Sequence, residues 1–192
     1  NDVDVHSGHT INSISKTSNG LVVHCDDHDI ECQLVLPAIG VKPNSELAKE
    51  AGLETSVHCS ISVDRQSRTS DPNIYSAGDC ADAYHVVTGK KAWVPLAVQA
   101  NRGGRAVADN LFGDGLELQG IAGSAMFRVF GLEVARSGLN PDEAREHGFD
   151  PVEITIESRS RAHAHPGNTT IHVAMVGDNK TGRLLGVQMA GR

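Results

Sequence analysis

The chain has 192 residues, 39% hydrophobic and 21% charged, a composition typical of a folded protein rather than a disordered one. Its 24 acidic residues outnumber 17 Lys and Arg, giving a net charge of −7, whereas nucleic-acid binding needs a basic surface. With four Phe, two Tyr and one Trp, a base-stacking platform is not expected. No apolar run approaches the roughly 20 residues of a membrane helix, and no signal peptide is recognisable. We therefore expect neither a nucleic-acid partner nor a membrane association.

Cysteine usage indicates the cellular compartment. Cys25, Cys32, Cys59 and Cys80 form no Cys-x-x-Cys pair and are too sparse for a disulfide scaffold. A reducing, cytoplasmic setting is therefore expected.

Ten histidines are scattered along the chain, and they raise the alternative of a metal site. His163, His165 and His172 would be neighbours if they shared one face of a strand pair. Structural zinc sites have tighter Cys and His spacing than this, so no metal site is predicted.

The sequence pattern of the first forty residues predicts short strands. Thr10–Lys16 alternates apolar and polar residues, and the turn signal Ser18-Asn19-Gly20 separates it from Leu21–Cys25. Ile30–Ile39 completes a predicted three-stranded meander, whose last strand should be well buried at residues 34–36. The acidic turn at residues 26–29 is most simply a solvated tip rather than a metal site.

The middle of the chain combines short helices and strands. Asn44 is a candidate cap for a helix over residues 45–51, and residues 61–64 read as a short strand. A second strand ends at Gly78-Asp79, and a helix with apolar residues at helical spacing runs from Pro95 to Phe112. Gly103-Gly104 inside this helix costs about 1 kcal/mol per glycine, which predicts close backbone packing there.

The last third mixes strands with one clear helix. Asn140-Pro141-Asp142-Glu143 combines a cap, a first-turn proline and acidic residues that favour a helix start. Strands are predicted at residues 152–157, 169–176 and 184–190, the last two joined by a hairpin-type loop.

The Gly78-Asp79 strand end is the most informative feature. Ligands of open α/β sheets bind at the carboxyl ends of strands, where a glycine permits close approach and an aspartate accepts hydrogen bonds from hydroxyl groups. The helix that starts near Pro95 offers free N–H groups, which favour partial negative charge such as a reduced flavin carries. A strand, a surface turn and an ordinary core helix would give the same pattern, so both interpretations stand at this point.

The wider pattern resembles a known family. Residues 69–80, Thr-Ser-x-Pro-x-Ile-Tyr-x-x-Gly-Asp-Cys, resemble the second FAD motif of the pyridine nucleotide-disulfide oxidoreductases. Residues 38–44 resemble the return from the NAD(H) domain, and residues 93–105 resemble the flavin-facing helix. Further matches at residues 136–139, 165–167 and 181–188 resemble the interface domain. The branch most similar contains coenzyme A-disulfide reductases, NADH oxidases and NADH peroxidases.

The resemblance implies a fold class and a domain plan. The class is α/β and α+β, the C-terminal part of a flavoprotein fold with two dinucleotide domains, followed by a mixed α+β dimerisation domain. The plan assigns residues 1–43 to the end of the NAD(H) domain, a β-meander, and residues 44–113 to the second half of the FAD domain. Residues 114–192 would form an incomplete dimerisation domain.

The resemblance also implies site residues. Gly78 and Asp79 would bind the ribityl or pyrophosphate region of FAD, and Gly40 would lie near the junction with the nicotinamide domain. Cys80 would be a packing residue rather than a redox thiol. The contacts to the isoalloxazine edge would come from the backbone at the start of the helix, namely Pro95, Leu96, Ala97 and Val98.

Several departures from the family limit what the chain can do alone. Neither Gly-x-Gly-x-x-Gly turn of the family is present, and no cysteine corresponds to its redox-active one. The expectation is a fragment, inactive alone, of a homodimeric FAD enzyme that passes electrons from NAD(P)H to a disulfide, peroxide or oxygen. The alternative is a stand-alone, non-catalytic dimerisation module derived from the same fold.

Overall fold

The computed structural model describes residues 3–113 and 115–192 and divides the chain into two compact units, residues 1–41 and 42–192. Residues 1, 2 and 114, which include the first residues of two predicted domains, lie outside the described part, and the predicted domain boundaries stay predictions. The mixture of sheets and few helices confirms the predicted fold class. Among the described residues, no helix combines the length and the apolarity that a membrane span requires.

The first unit is a three-stranded antiparallel meander, as the sequence predicts. Its strands are β1 (Ile11–Thr17), β2 (Gly20–Cys25) and β3 (Asp29–Cys32), in that spatial order. Gly20 has φ +151°, and a Cβ there would meet the carbonyl oxygen of Cys32 at 2.5 Å. Glycine at this turn therefore lets all three strands approach one another closely.

The predicted third strand is too long, and its predicted burial is wrong. β3 ends at Cys32, and Leu34, Leu36 and Ile39 are 83%, 84% and 89% exposed. Within the described part of the first unit, no strand pairs with residues 33–41. An apolar run becomes a buried strand only where a neighbouring strand and a covering layer exist, and the run itself does not encode them.

The second unit begins with short elements around a small core. Helix α1 (Glu46–Glu50) has Ser45, not the predicted Asn44, at its N-cap. The Ser45 hydroxyl caps no N–H and donates to the Cys59 carbonyl at 2.5 Å, which joins α1 to the 3₁₀ turn Val57–Cys59.

The two strands predicted in this region exist only as isolated bridges, which pair Ile61 with both Thr55 and Ala81, and Arg68 with Tyr75. The short hairpin that follows consists of β4 (Ala83–Tyr84) and β5 (Lys91–Ala92). The core beneath these segments is the apolar cluster of Ile61, Val63 and Ala81.

Helix α2 (Ala97–Leu111) occupies most of the range predicted for it and starts two residues after Pro95. Its N-cap is Leu96, whose backbone is extended at φ −126° and ψ 142°. Gly103 and Ala106 form the buried side of the helix together with Asn110.

The last part of the chain is a five-stranded antiparallel sheet. Its strands are β6 (Ala125–Val129), β7 (Leu132–Gly138), β8 (Pro151–Arg159), β9 (Thr170–Asp178) and β10 (Leu184–Gly191), in the spatial order β6-β7-β10-β9-β8. Helix α3 (Pro141–Glu146) connects β7 to β8 and carries the predicted cap at Asn140. The three predicted strands are present, whereas the β6–β7 hairpin was not predicted.

The two faces of this sheet differ. One face carries the core cluster of Leu139, Ala144, Val176 and Leu185, with Ala144 supplied by α3. On the other face, cross-strand partners form an apolar row through all five strands, because directly opposed residues share a face. We call this row and its neighbours on β8 and β9 the open sheet face, namely Ile156, Val173, Met189, Ala135 and Met126, with Ile154 and Met175.

Candidate functional site

The Gly78-Asp79 turn is open on its outer side. Gly78 has φ +94°, a conformation that favours glycine, and a Cβ there would meet nothing within 4 Å. Asp79 is exposed, and within the described residues its carboxylate makes no hydrogen bond or ion pair. The turn is anchored from behind, where the Ile61 N–H donates to the Cys80 carbonyl at 2.8 Å. The turn is therefore anchored to the core, while its Gly78 backbone and its Asp79 carboxylate remain accessible to a ligand.

The start of α2 is equally free. No side chain of the described residues caps it, and Pro95 and Leu96 before it are half-buried. Ala97 and Val98 are exposed, Val98 by 59%. The first N–H groups of this 15-residue helix therefore carry the positive end of its dipole without a capping side chain from the described residues.

Two contacts hold the turn and the helix together. The Trp93 indole N–H donates to the Asp79 carbonyl at 2.7 Å. On α2, Gly103 is buried, and a Cβ at this position would lie 3.2 Å from the Ala77 Cβ and 3.9 Å from the Gly78 nitrogen. The predicted close packing is therefore confirmed at Gly103, whereas at Gly104 a Cβ would meet nothing within 4 Å.

A buried ion pair that was not predicted, between Asp82 and Lys91, lies just after the Gly78-Asp79 turn in the chain. The Asp82 carboxylate is fully buried and accepts from Lys91 Nζ at 2.9 Å and from the Val63 N–H at 3.0 Å. It also accepts from the Ser56 hydroxyl at 2.5 Å, so the charge is paired and hydrogen-bonded from several sides. The only signal in the sequence is an aspartate between two alanines, and the lysine partner is nine residues away.

A cavity of about 490 Å³ opens beside Trp93, between the β4–β5 hairpin and α3. His85 lines it with Arg136 and Glu143 and is itself buried. Burial opposes the imidazolium and lowers the pKa of His85, and the neighbouring His147 acts in the same direction. His85 Nδ1 accepts from the Val87 N–H at 3.2 Å, as a neutral ring can.

The other predicted residues lie elsewhere. Gly40 belongs to the first unit, where it is exposed and has φ +89°. Cys80 is half-buried and packs against the Ile61 cluster, which supports a packing role. His163 and His165 lie in the loop between β8 and β9 rather than on a strand pair, and His172 is on β9.

The fold is a mixed α/β segment that carries the turn and the helix, followed by a domain built on a five-stranded antiparallel sheet. The chain belongs to the pyridine nucleotide-disulphide oxidoreductase family. The family model matches residues 1–104, and the model of the family's dimerisation domain matches residues 124–192.

Relatives with established names span the branch that the sequence resembles. The NAD(P)H sulfur oxidoreductase (CoA-dependent) of Pyrococcus furiosus is 37% identical over 166 residues, which are 86% of this chain and 38% of that protein. The coenzyme A disulfide reductase of Staphylococcus aureus is 28% identical over 192 residues, 100% of this chain and 41% of that protein. The chain thus spans about two fifths of these relatives.

Solved structures agree with the fold. An NAD-dependent persulfide reductase from A. fulgidus superposes with a TM-score of 0.89 at 33% identity, over 95% of this chain and 34% of that one. The water-forming NADH oxidase from Lactobacillus brevis also gives a TM-score of 0.89, at 27% identity, over 96% of this chain and 41% of that one.

Proposed function

We propose that this chain supplies the flavin-facing half and the dimerisation domain of an FAD-dependent oxidoreductase. The whole protein would pass electrons from NAD(P)H through flavin to a disulfide, a peroxide or oxygen. The observation that carries the proposal is the junction of the open Gly78-Asp79 turn with the uncapped start of α2. The names of the relatives support this class of reaction, since they include a coenzyme A disulfide reductase, a persulfide reductase and an NADH oxidase.

The residues at this junction fit FAD. Gly78 leaves open space where a cofactor can approach the backbone, and the Asp79 carboxylate is a free acceptor for ribityl or ribose hydroxyls. When bound, FAD would supply the redox chemistry by taking a hydride from NAD(P)H and returning two electrons to the acceptor. By resemblance, Gly40 would lie towards the nicotinamide domain.

The start of α2 would act on the flavin electrostatically. The N–H groups that follow Pro95 and Leu96, at Ala97 and Val98, carry the positive end of the helix dipole. This end favours partial negative charge, which a reduced flavin carries along its N1–C2=O edge. The helix start therefore favours the reduced cofactor over the oxidised one.

The chain alone would be inactive. Both Gly-x-Gly-x-x-Gly turns and the redox cysteine of the family are missing from these 192 residues. The match to the dimerisation domain supports a homodimer built through residues 124–192. The four cysteines are free thiols, which supports a reducing compartment such as the cytoplasm.

An Asp79 variant tests the proposal in the parent protein. Asp79→Asn keeps the shape of the side chain but removes the charge, so we expect FAD to bind about 10- to 100-fold more weakly, the range for a charge-assisted hydrogen bond. Asp109→Asn is the matched control, because Asp109 is an exposed aspartate on α2 with no side-chain partner among the described residues. The measurement is a fluorescence titration of the apoprotein with FAD. A parent that binds no flavin, or an Asp79 variant that binds like the wild type, contradicts the proposal.

The size of the polypeptide in its native cell separates the proposal from the alternative of a stand-alone dimerisation module. An antibody against this chain should detect a band more than twice the computed mass of 20.3 kDa. A band at 20.3 kDa would favour the module, which needs neither FAD nor a preceding half.

A further inference from the structure

A cluster of histidine and aspartate side chains lies in the first unit, at the turn between β2 and β3. One carboxylate oxygen of Asp27 is 2.9 Å from His9 Nδ1 and 2.6 Å from His28 Nδ1. One potential metal-ligating atom from each of the three residues lies within 4.8 Å of the other two. Among the described residues, this is the only group of three or more His, Cys, Asp or Glu side chains so close together.

The backbone, rather than the side chains, fixes this arrangement. The Cys25 N–H donates to the His28 carbonyl at 2.9 Å and closes the turn. The Asp26 N–H donates to the Thr10 carbonyl at 3.1 Å and holds the segment that contains His9 against the turn. The three side chains are therefore brought together by the sheet before any ligand binds, which lowers the entropic cost of binding.

The imidazole of His28 is only partly satisfied by hydrogen bonds. Its second ring nitrogen, Nε2, is buried and has no hydrogen-bond partner among the described residues. A buried polar atom without a partner is costly, so the hydrogen bond to Asp27 alone leaves this imidazole incompletely satisfied. The His6 and His9 rings lie beside the His28 ring, with centroids 5.2 Å and 4.7 Å away.

We propose that His9, Asp27 and His28 bind a divalent transition-metal ion of the zinc type. Imidazole nitrogens with one carboxylate suit Zn²⁺ and Ni²⁺, whereas Mg²⁺ and Ca²⁺ prefer sites made of oxygen atoms. His6 and Asp26, which lie next to the cluster, are available as further ligands. The proposal replaces the solvated tip that the sequence predicts for this turn, and it is independent of flavin binding.

Titration of the 192-residue chain with Zn²⁺ alone, followed by calorimetry and by competition with a chromophoric chelator, tests the proposal. We expect one saturable site, weakened about tenfold or more by Asp27→Asn and by His28→Gln. His24→Gln is the matched control, because His24 pairs with Asp29 at 2.8 Å in the same sheet without belonging to the cluster, and it should change the affinity less than twofold. Mg²⁺ should give no binding in the same buffer.

Two further measurements keep the outcome unambiguous. Circular dichroism of each variant separates lost binding from lost folding, and His9→Gln provides a third variant outside the turn. A Co²⁺ spectrum without a thiolate-to-cobalt band excludes ligation by the free cysteines. The proposal is overturned by an absence of saturable Zn²⁺ binding, or by wild-type affinity in folded Asp27→Asn and His28→Gln.

Discussion

Glu143 ties helix α3 to the sheet through both its side chain and its backbone. Its carboxylate accepts from Arg136 at 2.6 Å and from the Asn140 N–H at 2.8 Å, while its own N–H donates to the Asn140 side chain at 2.8 Å. Partial burial opposes the charged form, but the hydrogen bonds from Arg136 and Asn140 outweigh it and lower the pKa of Glu143. The ionised carboxylate is therefore part of the cap.

Replacing Glu143 tests this role through its pH dependence. Glu143→Gln should lower the free energy of unfolding by about 1 kcal/mol at pH 7, the usual value of a cap. Because the pKa is lower in the folded state, the charge stabilises above the ordinary value of 4.5, and this contribution is lost as the pH falls through the folded pKa. Urea unfolding at pH 7 and below pH 4.5 measures it. Glu146→Gln, at an exposed position of α3, is the control, and a deficit that does not change with pH would contradict the argument.

At the scale of elements, the packing of α2 on the Gly78-Asp79 turn depends on one of two adjacent glycines. Gly103→Val should lower the free energy of unfolding by about 1–3 kcal/mol, because the added atoms meet Ala77 and force the helix outward. Gly104→Ala should instead stabilise by up to about 1 kcal/mol, since its side is open and alanine favours helices. Thermal unfolding of both variants measures the difference. Equal effects would mean that α2 does not rest on the turn through Gly103.

Elements whose signals are local could be predicted from the sequence, and those that depend on distant partners could not. The cap of α3 spans four residues, so Asn140 and Glu143 reveal it directly. The end of β3 at Cys32 depends on a strand that the first unit lacks among its described residues, and the β6–β7 turn depends on a positive φ of 52° at Phe130. Neither the missing partner strand nor the positive φ can be predicted from the local amino-acid composition.

The same distinction between local and distant signals applies to the candidate site. The Gly78-Asp79 turn and the helix start after Pro95 follow from turn and helix chemistry, and the family resemblance links them. The contacts that join them, from Trp93 to Asp79 and from Gly103 to Ala77, connect residues far apart in the chain. The histidine cluster likewise needs the Asp26–Thr10 hydrogen bond to bring His9 to the turn.

At the scale of the whole molecule, the open sheet face is an apolar surface that extends across all five strands of the sheet. Ile154 and Ile156 on β8 are 56% and 45% exposed, and Met126 at the far edge is 81% exposed. Contiguous apolar surface of this kind marks an interface or promotes association. We therefore expect the isolated chain to self-associate through this face, as the dimerisation-domain match also supports.

A lysine on the open sheet face tests this expectation directly. Ile156→Lys places a charge within the apolar row and should shift the chain towards a monomer of 20.3 kDa in light scattering, since burying an unpaired charge at an interface is costly. Thr155→Lys is the matched control, because Thr155 is an exposed neighbour on the same strand that points to the opposite side of the sheet. A wild-type chain that is already monomeric, or equal effects of the two lysines, would contradict the assignment. If Ile156→Lys associates as strongly as the wild type, the interface lies on another surface, because the two chains differ only at this position.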